Sequence, residues 1–141
     1  MIIAVDFDGT IVTHEYPNIG KEIPFAIDTL KRLQSTPDHQ IVLWTVRQGI
    51  ELEEAIEFCR NRGLEFYAVN NNYPEESTEN PEPRKLKADL FIDDRNLGGL
   101  PDWGIIYRMI MSKKYFDPIT NEIHQEYQLP KKKGLLKSIF G

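Results

Sequence analysis

The sequence predicts an α/β fold built on a mostly parallel sheet of about five strands. Along residues 1–107, short apolar segments rich in β-branched residues alternate with longer segments whose apolar residues recur at helical spacing. This alternation is typical of βαβ units, in which a helix connects two parallel strands. The chain has 141 residues, a usual length for one domain. We therefore expect a core domain over residues 1–110 and a C-terminal extension over residues 111–141.

The first half of the chain is predicted to contain two strand–helix pairs. A first strand covers Ile2–Asp6, where an apolar run stops at a turn. The helix over Ile23–Gln34 has an apolar stripe at helical spacing. A second strand covers Gln40–Thr45, and a second helix covers Glu51–Arg62 and ends before Gly63, since glycine often ends a helix. Both helices would then connect neighbouring parallel strands.

The second half is predicted to contain three shorter strands and a long loop. The strands cover Glu65–Val69, Asp89–Asp93 and Gly104–Tyr107. The polar, proline-rich stretch Asn70–Arg84 is predicted as a loop, and Thr10–Lys21 as a loop or small hairpin that we call the flap. After Tyr107 the pattern weakens, and the chain ends in a basic, partly apolar tail.

Charge argues against a general nucleic-acid binder. The whole chain has a net charge of −5, but residues 131–141 carry four lysines and no acidic residue. Residues 1–130 therefore carry 13 basic and 22 acidic residues, a net charge of −9. An acidic surface repels the phosphate backbone of nucleic acids. The basic run Lys131–Phe140 is either a solvated tail or a weak contact with an anionic surface or a partner.

Composition also bears on location. No apolar run is long enough to span a membrane. Residues 1–5 are too short for a signal peptide and lack a basic leader. The single cysteine, Cys59, excludes an internal disulfide, which fits a reducing compartment. We expect a cytoplasmic protein.

The strongest chemical signal is the string Asp6-Phe7-Asp8-Gly9-Thr10 at the end of the first strand. Ligands of open α/β sheets bind at the carboxyl ends of the strands. Neighbouring carboxylates repel each other unless a cation or a proton is shared between them. A hard divalent cation such as Mg²⁺ prefers oxygen ligands. The string therefore predicts a cation site at this edge of the sheet, although an Asx-type turn is the simpler alternative.

This string after an apolar strand resembles motif I of the haloacid dehalogenase (HAD) superfamily of aspartyl-phosphate phosphotransferases. The resemblance implies a three-layer, Rossmann-like fold. It also implies that Asp6 is the nucleophile and that Asp8 is the general acid and base, with its backbone carbonyl as a metal ligand. Loops rather than a cap domain fill both places where such a domain is inserted, so the chain resembles a small capless member.

A second match lies at the end of the second predicted strand. Thr45 resembles the hydroxyl residue of motif II, which binds the transferring phosphoryl group. Thr45-Val46-Arg47 resembles the Ser/Thr-x-Arg form of some nucleotidase-like and polynucleotide-phosphatase-like members. Arg47 could hold a phosphate through two parallel hydrogen bonds. The alternatives are a turn threonine and a solvated surface arginine.

Two further matches surround the fourth predicted strand. Lys85 resembles the lysine of motif III, and Lys87 is the alternative two residues later. Leu90-Phe91-Ile92-Asp93-Asp94 resembles motif IV, which supplies acidic metal ligands. Either Asp93 or Asp94 could be the direct ligand, and we slightly favour Asp93. The alternative is an acidic helix N-terminus.

The resemblance implies a Mg²⁺-dependent phosphomonoester hydrolase that acts through an aspartyl phosphate. A phosphorylated small molecule is the favoured substrate, because the acidic charge disfavours a nucleic-acid end. An open site is also compatible with a second copy of the chain that supplies a lid. The competing interpretations are a HAD-fold regulatory or binding protein with little turnover and a nucleotide or polynucleotide end phosphatase. A receiver-type signalling domain is disfavoured, because its phosphorylated aspartate ends a strand in mid-chain.

Overall fold

A four-stranded parallel sheet forms the centre of residues 1–103. The computed structural model describes residues 1–76 and 85–116. The chain divides into two units, residues 1–103 and residues 104–141, and the first unit contains all four described strands. These strands are β1 (Ile2–Val5), β2 (Gln40–Leu43), β3 (Ala68–Val69) and β4 (Leu90–Ile92). The α/β class and the parallel sheet predicted from the sequence are confirmed.

The order of the strands in the sheet is β3-β2-β1-β4. In the register, Ile2 pairs with Gln40 of β2, and Val5 pairs with both Leu43 of β2 and Ile92 of β4. The chain thus moves outward from β1 through β2 to β3 and then returns to the other side of β1. The order reverses between β1 and β4, and such a switch point is where open α/β sheets bind ligands at the carboxyl ends of their strands.

Two helices lie in the first unit, and a third begins at its boundary. They are α1 (Ala26–Gln34), α2 (Gly49–Arg60) and α3 (Trp103–Met111). Helix α1 begins three residues later than predicted, because Phe25 has a φ of 67° and lies outside the helical region. Among residues 1–76 and 85–116, no helix is both long enough and apolar enough to cross a membrane.

The predicted fifth strand is wrong. Gly104–Tyr107 belongs to α3, so the described residues contain four strands rather than about five. A four-residue apolar run fits a strand and a buried helix equally well by periodicity, and length decides between them. The apolar run continues to Met111, with Trp103, Ile106 and Ile110 at helical spacing. The run therefore reaches helix length.

Strand β1 is buried on both faces of the sheet. Ile3, Ala4 and Val5 are successive residues, so their side chains point alternately to the two faces, and none is more than 1% exposed. Strand β2 behaves alike at Ile41, Val42 and Leu43. Continuous apolar strands of this kind are typical of parallel sheets covered on both faces. The central strands therefore hold the residues that follow them in fixed positions.

The flap forms a short pairing of its two ends. The Thr13 N–H donates to the Lys21 carbonyl at 2.8 Å, and the Ile23 N–H donates to the Ile11 carbonyl at 2.8 Å. The prediction of a loop with hairpin character over Thr10–Lys21 is confirmed. The flap thereby returns the chain to the sheet edge immediately after β1.

Two predictions lie partly outside the described residues. The loop Asn70–Arg84 is described only as far as residue 76, and the predicted basic tail lies entirely beyond residue 116. The predicted division of the chain at residue 110 stays a prediction.

Candidate functional site

Three carboxylates meet at the switch point of the sheet. Asp6 follows β1, and Asp93 and Asp94 follow the neighbouring strand β4. One carboxylate oxygen from each of the three lies within 4.8 Å of the others. The Asp6 N–H extends the strand pairing by donating to the Ile92 carbonyl at 3.0 Å. We call Asp6, Asp93 and Asp94 the acidic cluster, and its members are all half-buried.

The acidic cluster carries negative charge that the described protein does not neutralise. Within residues 1–76 and 85–116, no lysine or arginine forms an ion pair with any of its members. Burial raises the pKa of Asp6 to about 7. A backbone hydrogen bond with Phe7 lowers this pKa, whereas the carboxylates of Asp93, Asp94 and Asp8 raise it further. A proton or a cation at Asp6 therefore stabilises the cluster.

Asp94 is held in place by the turn that follows β1. Its carboxylate accepts a hydrogen bond from the Thr10 hydroxyl at 3.3 Å, and its N–H donates to the Thr10 Oγ1 at 3.1 Å. Gly9, at a φ of +82°, lies so close that a Cβ there would be 2.3 Å from Asp94 Oδ2. The Thr10 carbonyl in turn accepts the Trp103 Nε1–H at 3.0 Å. Gly9 and Thr10 thus connect the loop after β4 to the loop after β1.

Asp93 closes a turn of its own loop. Its Oδ1 accepts the Arg95 N–H at 2.8 Å. The structure brings both Asp93 and Asp94 to Asp6, as the sequence predicted. The choice between them as the direct metal ligand stays a prediction.

The Asp8 side chain has its partner outside the acidic cluster. Its side chain is 8% exposed and pairs with Arg47, whose Nε and Nη2 donate to the two Asp8 oxygens at 2.7 Å each. Such bidentate, charge-assisted pairs are among the stronger hydrogen bonds in proteins. Among the described residues, the acidic groups that could together hold a metal through their side chains do not include Asp8. The predicted contribution of Asp8 to a metal is its backbone carbonyl, which stays a prediction.

Arg47 is fully buried, with 0% exposure, so the solvated alternative is wrong. Its three remaining N–H groups donate to backbone carbonyls of the flap and of α2: Pro17 at 3.2 Å, Asn18 at 2.8 Å and Glu51 at 3.2 Å. Hydrogen bonding to Asp8 raises the pKa of Arg47 above its ordinary value. A guanidinium has five N–H donors, and all five are used. A phosphate could bind Arg47 only if some of these bonds broke.

Thr45 lies at the end of β2, half-buried, in a turn that other residues define. Its hydroxyl accepts the Arg47 N–H at 3.1 Å, and its own N–H donates to the Asn70 Oδ1 at 2.9 Å. Asn70 follows β3 and has a φ of 54°. The carboxyl ends of β2 and β3 are therefore joined through one asparagine side chain.

The two candidate lysines, Lys85 and Lys87, lie in the segment before β4. The Lys85 side chain is exposed, and its Nζ lies 5.7 Å from the centroid of the Phe91 ring. The Lys87 N–H donates to the Asn72 Oδ1 at 2.7 Å. The choice between Lys85 and Lys87 stays open.

Sequence reasoning missed three contacts that shape the site. The Asp8–Arg47 pair joins residues 39 positions apart, and no local pattern indicates it. The bonds of Thr10 to Asp94 span 84 positions. Asn70 carried a weak signal, since a polar residue that tolerates positive φ followed a predicted strand. The general position of such residues is predictable, but their partners are not.

No protein-family model matches the chain, and no curated protein matches it either. A solved structure of a conserved protein from Bacteroides thetaiotaomicron is 67% identical to this chain, with a TM-score of 0.77. The match covers 82% of this chain and 93% of that protein. The chain belongs to the family of that conserved protein. An identity this high means that the two proteins share the parallel α/β fold described above.

Proposed function

We propose that the protein is a Mg²⁺-dependent phosphomonoester hydrolase of the HAD type, which acts through an aspartyl-phosphate intermediate. One observation carries this proposal: three carboxylates converge between β1 and β4, where the strand order reverses. Open α/β sheets bind their ligands at that point. The string Asp6–Thr10 at this position supports the HAD assignment. A phosphorylated small molecule is the proposed substrate, and the cytoplasm is the proposed location.

The donor set of the acidic cluster fits a hard divalent cation. Asp6, Asp93 and Asp94 offer carboxylate oxygens within 4.8 Å of one another, and Mg²⁺ prefers oxygen ligands from one or two carboxylates, with water and phosphate oxygens. Asp8 would add its backbone carbonyl. When bound, the cation would supply electrostatic stabilisation of the charge on the transferring phosphoryl oxygens.

The chain's own residues would divide the chemistry as follows. An Asp6 carboxylate oxygen attacks phosphorus in line, so that a new P–O bond forms and the ester P–O bond breaks. Asp8 gives a proton to the leaving oxygen. It later takes a proton from a water whose oxygen attacks phosphorus, so that the bond between phosphorus and the Asp6 oxygen breaks and inorganic phosphate leaves. Thr45 and the Lys85 ammonium bind phosphoryl oxygens. The half-buried position of Asp6 favours this role, because fewer water molecules solvate its carboxylate.

The test is hydrolysis of an aryl phosphate by wild type and by Asp6→Asn. We expect turnover that requires Mg²⁺ in the wild type, and a fall of at least about 10³-fold in Asp6→Asn with the fold retained. Asp28→Asn, an exposed aspartate in α1, is the matched control and should keep wild-type turnover. Retained turnover in purified Asp6→Asn would contradict the proposal.

Two further measurements separate the alternative functions. Calorimetric binding of Mg²⁺ without turnover on any phosphomonoester would favour a regulatory or binding protein. Turnover restricted to terminally phosphorylated oligonucleotides would favour a nucleic-acid end phosphatase, against the net charge of −9 over residues 1–130.

A further inference from the structure

Arg47 connects three separate parts of the first unit. Its guanidinium contacts Asp8 in the turn after β1, the carbonyls of Pro17 and Asn18 in the flap, and the Glu51 carbonyl in the first turn of α2. All of these groups are acceptors, and together they use every N–H of the side chain. A phosphoryl oxygen would have to displace one of them.

Two aromatic rings also lie close to the Arg47 guanidinium. Its central carbon lies 5.1 Å from the centroid of the Phe7 ring and 5.1 Å from that of the Tyr16 ring. Phe7 is fully buried, whereas Tyr16 belongs to the flap and is 51% exposed. Arginine favours such positions over aromatic faces. The in-plane bonds and the two rings together leave Arg47 one orientation.

A guanidinium fixed in this way fixes the carboxylate that it holds. Both Asp8 oxygens accept from Arg47 at 2.7 Å, so rotation of the Asp8 side chain would break two short bonds at once. A general acid must lie within hydrogen-bond reach of the atom that it protonates. The position of Asp8 is therefore decided largely by Arg47.

We propose that Arg47 is a positioning residue, which holds the Asp8 carboxylate in place through the flap and α2 and does not bind the phosphoryl group of the substrate. This inference rests on the proposed function, because Asp8 is the proposed general acid. It replaces the phosphate-binding role that the Ser/Thr-x-Arg resemblance implies for this residue.

Leaving-group dependence distinguishes the two roles. Dinitrophenyl phosphate releases a stable phenolate and needs no proton, whereas glycerol phosphate releases an alkoxide that does. For Arg47→Lys we expect kcat/KM to fall about 100-fold on glycerol phosphate and less than about threefold on dinitrophenyl phosphate. The inhibition constant of inorganic phosphate should change less than about threefold. Arg60→Lys, at an exposed arginine of α2, is the matched control and should change none of these values.

Two results would overturn the inference while leaving the proposed function intact. One is an equal fall in kcat/KM on both substrates. The other is a rise of at least about tenfold in the inhibition constant of phosphate. A wild type that hydrolyses neither substrate in the presence of Mg²⁺ would instead overturn the proposed function, and the inference with it.

A second comparison covers the case in which Arg47→Lys does not fold. Asp8→Asn is compared with the double variant Asp8→Asn/Arg47→Gln, in which two neutral amides replace the buried charged pair. If Arg47 acts through Asp8, the second substitution should lower kcat/KM on glycerol phosphate no further. An additional fall of about tenfold or more would show an independent role and overturn the inference.

Discussion

Asp6 combines burial with the repulsion of three other carboxylates. Burial, followed by the charges of Asp93, Asp94 and Asp8, raises its pKa to about 7, whereas an aspartate of an unfolded chain titrates near pH ~4. Between these values the folded state binds more protons than the unfolded state. The free energy of unfolding therefore falls as the pH rises through this window, and the contribution of Asp6 is fully present only below about pH 4.

The fall in the free energy of unfolding with rising pH gives a direct prediction for the metal-free protein. With a chelator present, wild type should lose stability relative to Asp6→Asn when the pH is raised from about 5 to about 8. Chemical denaturation at both pH values measures the difference. Asp28→Asn should follow the wild type. Parallel pH dependences for wild type and Asp6→Asn would contradict the raised pKa.

Gly9 is required where the backbone meets the Asp94 carboxylate. Gly9→Ala combines a positive φ with a Cβ placed 2.3 Å from Asp94 Oδ2, whereas Gly98 has a similar φ of +92° and open space around it. Gly98→Ala should cost about 1–2 kcal/mol of stability through backbone strain alone. Gly9→Ala should cost more and weaken Mg²⁺ binding about 10- to 100-fold, because Asp94 must move.

Thermal denaturation and calorimetric Mg²⁺ titration of the two variants measure this contrast. Unchanged Mg²⁺ affinity in a folded Gly9→Ala protein would show that the position of Asp94 does not matter for the cation.

At the scale of elements, the sequence predicted the strands of the sheet better than the helix starts. Apolar β-branched runs located β1, β2 and β4, because strands buried on both faces are continuous in composition. The start of α1 depends on the left-handed conformation of Phe25. No sequence pattern predicts this conformation for an aromatic residue. The segment Gly104–Tyr107 was misassigned because a short apolar run fits a strand as well as a helix.

Asn70 joins the loops after β2 and β3, and its two properties can be separated. Asn70→Gly keeps the positive φ but loses the bond to the Thr45 N–H, and should cost about 0.5–1.5 kcal/mol. Asn70→Ala loses the bond and adds strain, and should cost about 1 kcal/mol more. Both should lower kcat/KM, because Thr45 is the proposed phosphate ligand.

Denaturation midpoints test the expected order of stability, in which wild type is most stable, Asn70→Gly is intermediate and Asn70→Ala is least stable. Asn61→Ala, at the exposed end of α2, serves as the control and should stay close to wild type. Equal stability of wild type and Asn70→Gly would mean that the bond to Thr45 contributes nothing.

At the scale of the molecule, the sheet topology made the acidic cluster predictable and left the Asp8–Arg47 pair unpredictable. Residues that follow neighbouring parallel strands meet at one edge, so Asp6, Asp93 and Asp94 could be placed together from the sequence. The partner of Arg47 depends on how the flap returns to the sheet. Strand periodicity carries no information on that path.

The charge distribution predicts discrimination between substrates of different size. Residues 1–130 carry a net charge of −9, so kcat/KM on a phosphorylated oligonucleotide should be at least about tenfold below that on the matching mononucleotide. Added salt should reduce this difference in kcat/KM, because it screens the repulsion between the acidic protein and the oligonucleotide. Steady-state kinetics on both substrates at low and high salt measure it, and a gap that widens with salt would contradict the electrostatic explanation.

Direct capture of the intermediate tests the central claim, that Asp6 receives a phosphoryl group beside a divalent cation. The protein is mixed with an aryl phosphate and Mg²⁺, quenched in acid and treated with borohydride, which reduces an aspartyl phosphate to homoserine. Peptide mass spectrometry then locates the reduced residue. We predict homoserine at position 6, dependent on Mg²⁺ and on substrate. Turnover without modification at Asp6, or with modification at another aspartate, would contradict the account.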